Sequence, residues 1–229
     1  MAPVPIVIVD KGTGTGRALL SDVCEMLTVV SQTLFARPAP FGWGIGASVR
    51  LANSETDIAP GEQVIALERV PNAPDALGDH DAPNGMPMSH VFPSLENSID
   101  DLPVTIGHEL FEMLVDAMCC LAAHGSDAVW RALEVGDAVE TDTFVFTCAS
   151  GRKLACTNWV LPAWFSGGAP GQLFDHLGLC KQDGEVRPGG YISTWDAARG
   201  WTQETNGEKR DYRKRVAALG VTRADRRAA

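Results

Sequence analysis

The chain has 229 residues, a net charge of −10 and hydrophobic residues at 45% of its positions. This length can bury a complete core, and this composition is typical of soluble globular proteins. The chain has neither an 18-residue apolar run nor a basic leader, so we expect no transmembrane helix and no secretion by a signal peptide.

The negative charge is unevenly distributed along the chain. Residues 207–229 hold eight basic and three acidic residues, a net charge of +5, which leaves −15 on residues 1–206. An acidic body argues against a broad nucleic-acid surface, so only the basic tail is suited to phosphates or an acidic partner. The six cysteines include no CxxC pair, which predicts buried thiols rather than a thiolate zinc site or disulfides.

The first part of the chain predicts a strand, a helix and further strands. Residues 4–9 are a continuous apolar run rich in β-branched residues, typical of a strand buried on both faces, and residues 17–37 carry apolar side chains at helical spacing. Two more strands, a long loop rich in Pro, Asp and Gly, and a short extended segment are predicted next: residues 43–51, 63–70, 71–87 and 88–93.

A buried amphipathic helix is predicted over residues 101–121. Pro103 falls in its first turn, where a missing N–H costs little. Its apolar residues recur with the period of an α-helix: Ile106, Leu110, Met113, Leu114, Ala117 and Leu121. A short helix is predicted over 126–134, and residues 138–206 are expected to form strands, turns and irregular segments.

The strongest candidate for chemistry lies on this helix. Residues four apart lie on one helical face, so His108, Glu112 and Asp116 would form a row of possible metal ligands. Glu109 lies about 100° around the helix, where it could take a proton from a water molecule that the metal activates. One imidazole with carboxylates suits Zn²⁺ with one position left open for water.

The string HELFE over residues 108–112 resembles the HExxH motif of zincin metallopeptidases, with glutamate in place of the second histidine. It is more similar to the HExxE-xxx-D helices of zincin-like proteins from tailed phages, prophages and bacteria, in which an E-x-x-D segment follows. Residues 134–137, with the sequence EVGD, stand in that place here. The similarity spans most of residues 75–195.

The resemblance implies an α+β, zincin-like fold. This fold has a mixed twisted sheet, an antiparallel edge strand over the active-site helix, and an irregular strand-rich C-terminal part. Residues 88–93 stand where that edge strand is expected. The implied plan is a zincin-like N-terminal subdomain over 1–125, a C-terminal subdomain over 126–206 that completes the site, and the basic tail over 207–229.

The resemblance also implies roles for individual side chains. His108 and Glu112 would hold the metal, Glu134 or Asp137 would supply the third protein ligand, and Glu109 would be the general base. The metal ligands and candidates for that role are His108, Glu112, Glu134, Asp137 and Asp116. Zn²⁺ is the expected metal, although a set rich in carboxylates also suits Ca²⁺, Mn²⁺ or no metal.

A structural interpretation of the same residues stays open. His108 and Glu112 could form an ordinary i,i+4 pair, although burying several unpaired charges on an apolar helix is costly and favours a cation. His80 and Asp81 precede the predicted edge strand and could line a cleft, but they are interpreted as surface loop residues.

Two functions therefore remain. The first is a zincin-like metallopeptidase of phage or prophage origin, acting on a peptide or protein substrate in the host cytoplasm. The second is a non-catalytic structural protein of the virion, a capsid or tail component that uses the same scaffold to contact neighbouring subunits. Neither function predicts a membrane partner, and nucleic acid is expected only through residues 207–229.

Overall fold

A computed structural model describes residues 1–71, 77–169 and 171–207, so the predicted basic tail lies outside the described residues apart from its first residue. The helices are α1 (Arg17–Val30), α2 (Leu102–Val115) and α3 (Pro162–Ser166). The strands are β1 (Val4–Asp10), β2 (Ala47–Leu51), β3 (Gln63–Leu67), β4 (Gly78–Asp81), β5 (Met88–Val91), β6 (Ala122–His124), β7 (Trp130–Ala132), β8 (Thr143–Thr147), β9 (Lys153–Thr157), β10 (Tyr191–Asp196) and β11 (Gly200–Thr205). The predicted α+β class with a mixed sheet is confirmed.

Five strands form the mixed sheet in the order β2-β1-β3-β5-β4. The predicted buried strand is β1, which pairs in parallel with β2 and β3, and β5 pairs in parallel with β3. Only β4, the last strand in this order, runs antiparallel to its neighbour β5. The sheet thus presents α2 with two short strands, β4 and β5, at one of its sides.

The prediction that residues 88–93 form the edge strand is wrong, because β5, the strand in this segment, is an inner strand of the sheet. The antiparallel edge strand is β4, which lies inside the segment 71–87 that was predicted to be a loop. Its sequence, GDHD, has no alternation of apolar and polar residues that would mark a strand. Pairing of its backbone with β5 determines its conformation instead.

The first helix packs against the sheet. It continues through a π-helical turn at Ser31–Phe35. By length and composition alone, with a mean hydropathy of 1.3, the segment Arg17–Phe35 could cross a membrane. Leu20, Val23 and Leu27 are fully buried in the same hydrophobic cluster as the residues of β1. This burial is typical of a core helix.

The second helix is shorter than the predicted span of 101–121, because it ends at Val115. Asp116 follows it, and both oxygens of its carboxylate accept backbone amide hydrogens, Oδ1 from Cys120 and Oδ2 from Leu121. Cys119 adopts a left-handed conformation with φ of 51°. These bonds offer the backbone an alternative to further helical turns, and the chain turns into β6.

The C-terminal part holds two antiparallel sheets, with the order β11-β10-β7-β6 in one and β8-β9 in the other. The short helix predicted for 126–134 is wrong, since this segment contains β7. Trp130 and Arg131 pair there with Trp195 and Thr194 of β10. The strand β7 also pairs with β6, so it lies between a local hairpin partner and a strand that is distant in sequence.

An aromatic cluster behind α2 joins the two parts of the chain. The ring of Phe111 stacks on Phe35 at a centroid distance of 4.6 Å and lies 4.8 Å from the ring of Trp159. All three side chains are fully buried, so they contribute large apolar areas to the core. Trp159, from the C-terminal part, thus packs in the same core as α2.

Replacement of Phe111 by alanine should lower the free energy of unfolding by about 3–5 kcal/mol, because it leaves a cavity between α2 and two aromatic rings. Chemical denaturation of both proteins without added metal measures this difference. Val145→Ala, at a side chain that is 67% exposed, is the control and should change stability by less than about 0.5 kcal/mol. Equal effects of the two substitutions would contradict the packing described for α2.

Candidate metal centre

One face of α2 is buried against polar neighbours rather than apolar ones. Gly107 lets the other face approach α1 closely, since a Cβ atom there would lie 3.3 Å from Cδ2 of Leu27. The opposite side carries His108, Glu109 and Glu112, which are all buried. Buried side chains of this kind need compensating partners, so their neighbours define the centre.

His108 and Glu112 meet a third side chain from the C-terminal part. The Nε2 atom of His108 lies 3.1 Å from Oε1 of Glu112 and 3.3 Å from Oδ1 of Asp137. The ligand atoms of these three residues all lie within 4.8 Å of one another, and all three residues are buried. We call this set the His108 group.

The segment that carries Asp137 is held in place by its backbone. The carbonyl of Val135 accepts a hydrogen bond of 2.8 Å from the amide of Val160, and the carbonyl of Ala138 accepts one of 2.8 Å from the amide of Arg187. Its Gly136 lies directly behind the imidazole, where a Cβ atom would be 2.6 Å from Nδ1 of His108. The segment therefore orients Nε2 of His108 towards the two carboxylates.

A second histidine enters the centre from β4. The Nδ1 atom of His80 lies 3.5 Å from Oε2 of Glu109 and 3.6 Å from Oε2 of Glu112, and its Nε2 atom lies 3.7 Å from Oε2 of Glu134. Its interpretation as a surface loop residue is wrong, because His80 is buried. The ligand atoms of His80, Glu109 and Glu112 also lie within 4.8 Å of one another. We call this set the His80 group.

Comparison of the chain with protein-family models, curated proteins and solved structures finds no match. The resemblance of the α2 motif to zincin-like proteins therefore stays a prediction.

The candidate third ligands occupy different places. Asp137 belongs to the His108 group, whereas Glu134 faces His80. Asp116 belongs to neither group, because its carboxylate binds backbone amides beyond the end of α2. Its prediction as a ligand assumed that the helix continues through residue 116, and the helix does not.

The separations within the two groups suit a cation. Ligand atoms around a tetrahedral Zn²⁺, with bonds of about 2.0–2.2 Å, lie about 3.3–3.6 Å apart. The separations measured from the imidazole nitrogens are 3.1 and 3.3 Å in the His108 group and 3.5 and 3.6 Å in the His80 group. The separations in the His108 group also suit hydrogen bonds, whereas the two in the His80 group are long for hydrogen bonds and match the spacing of ligands around one ion.

The electrostatic environment of His108 favours positive charge. Burial is the largest influence and lowers the pKa of this imidazole, but Glu112, Asp137 and Glu109 together outweigh it and raise the pKa well above its usual value. The carboxylates would attract a metal cation for the same reason that they attract the proton. A cation bound at Nε2 would replace that proton.

A third group of possible ligands, Asp22, Glu25 and Cys148, has a structural explanation. Asp22 accepts a hydrogen bond of 2.8 Å from Nε of Arg152, and Glu25 accepts one of 2.8 Å from the amide of Ala149. Burial and the two neighbouring carboxylates raise the pKa of Cys148, so its thiol stays protonated. These contacts attach α1 to the turn between β8 and β9.

Gly136→Ala should weaken metal binding at least about tenfold, about 1.4 kcal/mol, because the added methyl group displaces the imidazole of His108. Titration of metal-free protein with Zn²⁺ in a calorimeter measures the affinity. Gly16→Ala is the matched control, since a Cβ atom there has no heavy atom within 4 Å, and its affinity should equal that of the wild type. Unchanged binding by Gly136→Ala would exclude His108 as a ligand.

Proposed function

We propose that this protein is a zincin-like metal-dependent hydrolase that cleaves peptide bonds and derives from a phage or prophage. The observation that carries this proposal is the convergence of His108, Glu112 and Asp137 in a buried set with the spacing of metal ligands. The motif on α2, which was interpreted from sequence as a metallopeptidase motif, supplies two of the three.

One imidazole and two carboxylates fit Zn²⁺ and leave a coordination position for water or substrate. Mn²⁺ is the alternative that the same ligands accept. When bound, the cation supplies Lewis-acid chemistry: it polarises a carbonyl group and acidifies a water molecule. The protein supplies the remaining steps through its own side chains.

Glu109 is the proposed proton acceptor. It follows His108 directly on α2, is buried, and lies close enough to contribute to the raised pKa of that imidazole. Its carboxylate takes the proton from the attacking water and passes it to the leaving amine, which is the usual exchange between general base and general acid. His108, Glu112 and Asp137 would hold the cation.

A peptide is the proposed substrate because the centre lies beside a sheet edge. In the described part of the chain, β4 pairs with β5 alone and contributes His80 to the centre. An extended peptide can add to such an edge through main-chain hydrogen bonds. A scissile bond held along β4 would lie near α2.

The assignment of Asp137 rather than Asp116 as third ligand can be tested directly. Asp137→Asn should weaken Zn²⁺ binding at least about tenfold, since loss of an outer partner of a metal ligand alone costs about 10–100-fold. Asp116→Asn is the substitution of another buried aspartate; it loses one acceptor for a backbone amide and should lower stability, but it should retain full affinity for Zn²⁺. The opposite ranking in equilibrium titrations would place the cation elsewhere.

Glu109→Gln should keep the equivalent of metal that the His108 group binds and lower peptide hydrolysis by about 10²–10⁴-fold, because glutamine cannot accept the proton. Elemental analysis and cleavage of a fluorogenic peptide library measure the two quantities. Glu68→Gln, at a carboxylate that pairs with Lys11 outside the centre, should change neither. A wild type that binds metal and hydrolyses nothing would favour the virion scaffold over the enzyme.

A further inference from the structure

We infer that the centre contains a second cation site, formed by His80, Glu109 and Glu112, and that its occupation inhibits hydrolysis. The inference rests on the proposed function, because the second site shares Glu112 with the His108 group and takes Glu109 as a ligand. It concerns a different set of atoms, however, and β4 rather than α2 supplies its imidazole.

The geometry of the His80 group is that of a built site. Nδ1 of His80 faces one oxygen of Glu109 at 3.5 Å and one oxygen of Glu112 at 3.6 Å. The side chains of all three residues are at most 3% exposed. An imidazole nitrogen with two carboxylate oxygens at these separations is a three-coordinate protein ligand set for Zn²⁺ or Mn²⁺.

Glu112 is placed to bridge the two cations. Its Oε1 atom faces His108 at 3.1 Å, whereas its Oε2 atom faces His80 at 3.6 Å. One carboxylate thus offers a different oxygen to each imidazole. In two-metal sites such sharing keeps the ions about 3.5–4 Å apart.

Two further features support the orientation of the ligands. Glu134 lies 3.7 Å from the other nitrogen of His80, in the position from which a carboxylate orients a metal-binding imidazole. Gly78 makes room for Glu109, since a Cβ atom there would lie 2.9 Å from its Cγ and Oε1 atoms. A side chain at position 78 would displace the carboxylate of Glu109 from this group.

The number of carboxylates in the whole centre fits two ions. Four carboxylates, those of Glu109, Glu112, Glu134 and Asp137, converge on the two imidazoles, as two neighbouring divalent cations would require. A cation in the His80 group also binds the carboxylate that accepts the proton during hydrolysis. Activity should therefore rise with the first equivalent of metal and fall with the second.

The test is a titration of the metal-free full chain with Zn²⁺. Wild type should bind two equivalents, the second at least tenfold more weakly, and His80→Ala should bind one. The matched control is His90→Ala, on the neighbouring strand, where the imidazole lies 3.2 Å from Glu68 outside the centre; it should bind two. Thermal unfolding followed by circular dichroism verifies that each variant is folded. If His80→Ala does not fold, Glu134→Gln replaces it, because this substitution is expected to weaken only the second site.

A single equivalent in the wild type, or two in His80→Ala, overturns the second site and leaves the proposed function standing. Two equivalents with no hydrolysis at any loading support the second site and contradict the proposed function instead. Mn²⁺ provides an independent readout, because two ions sharing Glu112 should be magnetically coupled. The electron paramagnetic resonance signal per bound ion should then be smaller in the wild type than in His80→Ala, and equal signals would overturn the inference.

Discussion

The burial of Glu112 is the constraint on which the centre depends. Its carboxylate is fully buried and faces His108 through one oxygen and His80 through the other, while the amide of Gly136 donates a hydrogen bond of 3.3 Å to Oε1. A buried carboxylate is costly unless charge and hydrogen bonds compensate it. Loss of His108, His80 or the amide of Gly136 would leave the carboxylate of Glu112 less compensated and so weaken its remaining contacts. This one side chain therefore couples α2, β4 and the segment that carries Asp137.

The same helix separates this polar centre from the hydrophobic core. Phe111 stands between the ligands in sequence and points into the aromatic cluster with Phe35 and Trp159. These apolar contacts fix the position of α2. Its charged side chains are therefore positioned by the fold and not by a bound ligand. A centre built on a rigid helix in this way has its candidate ligands positioned by the fold itself.

The local part of the centre could be predicted from the sequence, and the rest could not. His108 and Glu112 are four residues apart, a spacing that specifies a shared helical face without knowledge of the tertiary fold. Asp116 has the same spacing, yet it is not part of the centre, because the helix ends at Val115 and the carboxylate of Asp116 accepts hydrogen bonds from the amides of Cys120 and Leu121. The sequence pattern describes a face but not the point at which a helix ends.

His80 was missed for a different physical reason. Its strand is four residues long and polar, so its backbone pairing with β5 makes it a strand. The strand β7, wrongly predicted as a helix, is likewise defined by pairing, with β6 and with β10. Both segments bring candidate ligands to α2: β4 carries His80, and the chain leaving β7 leads to Glu134 and Asp137. A strand as short as β4 gains little from its own propensity, so its backbone pairing with β5 and its packing against α2 position His80 at the centre.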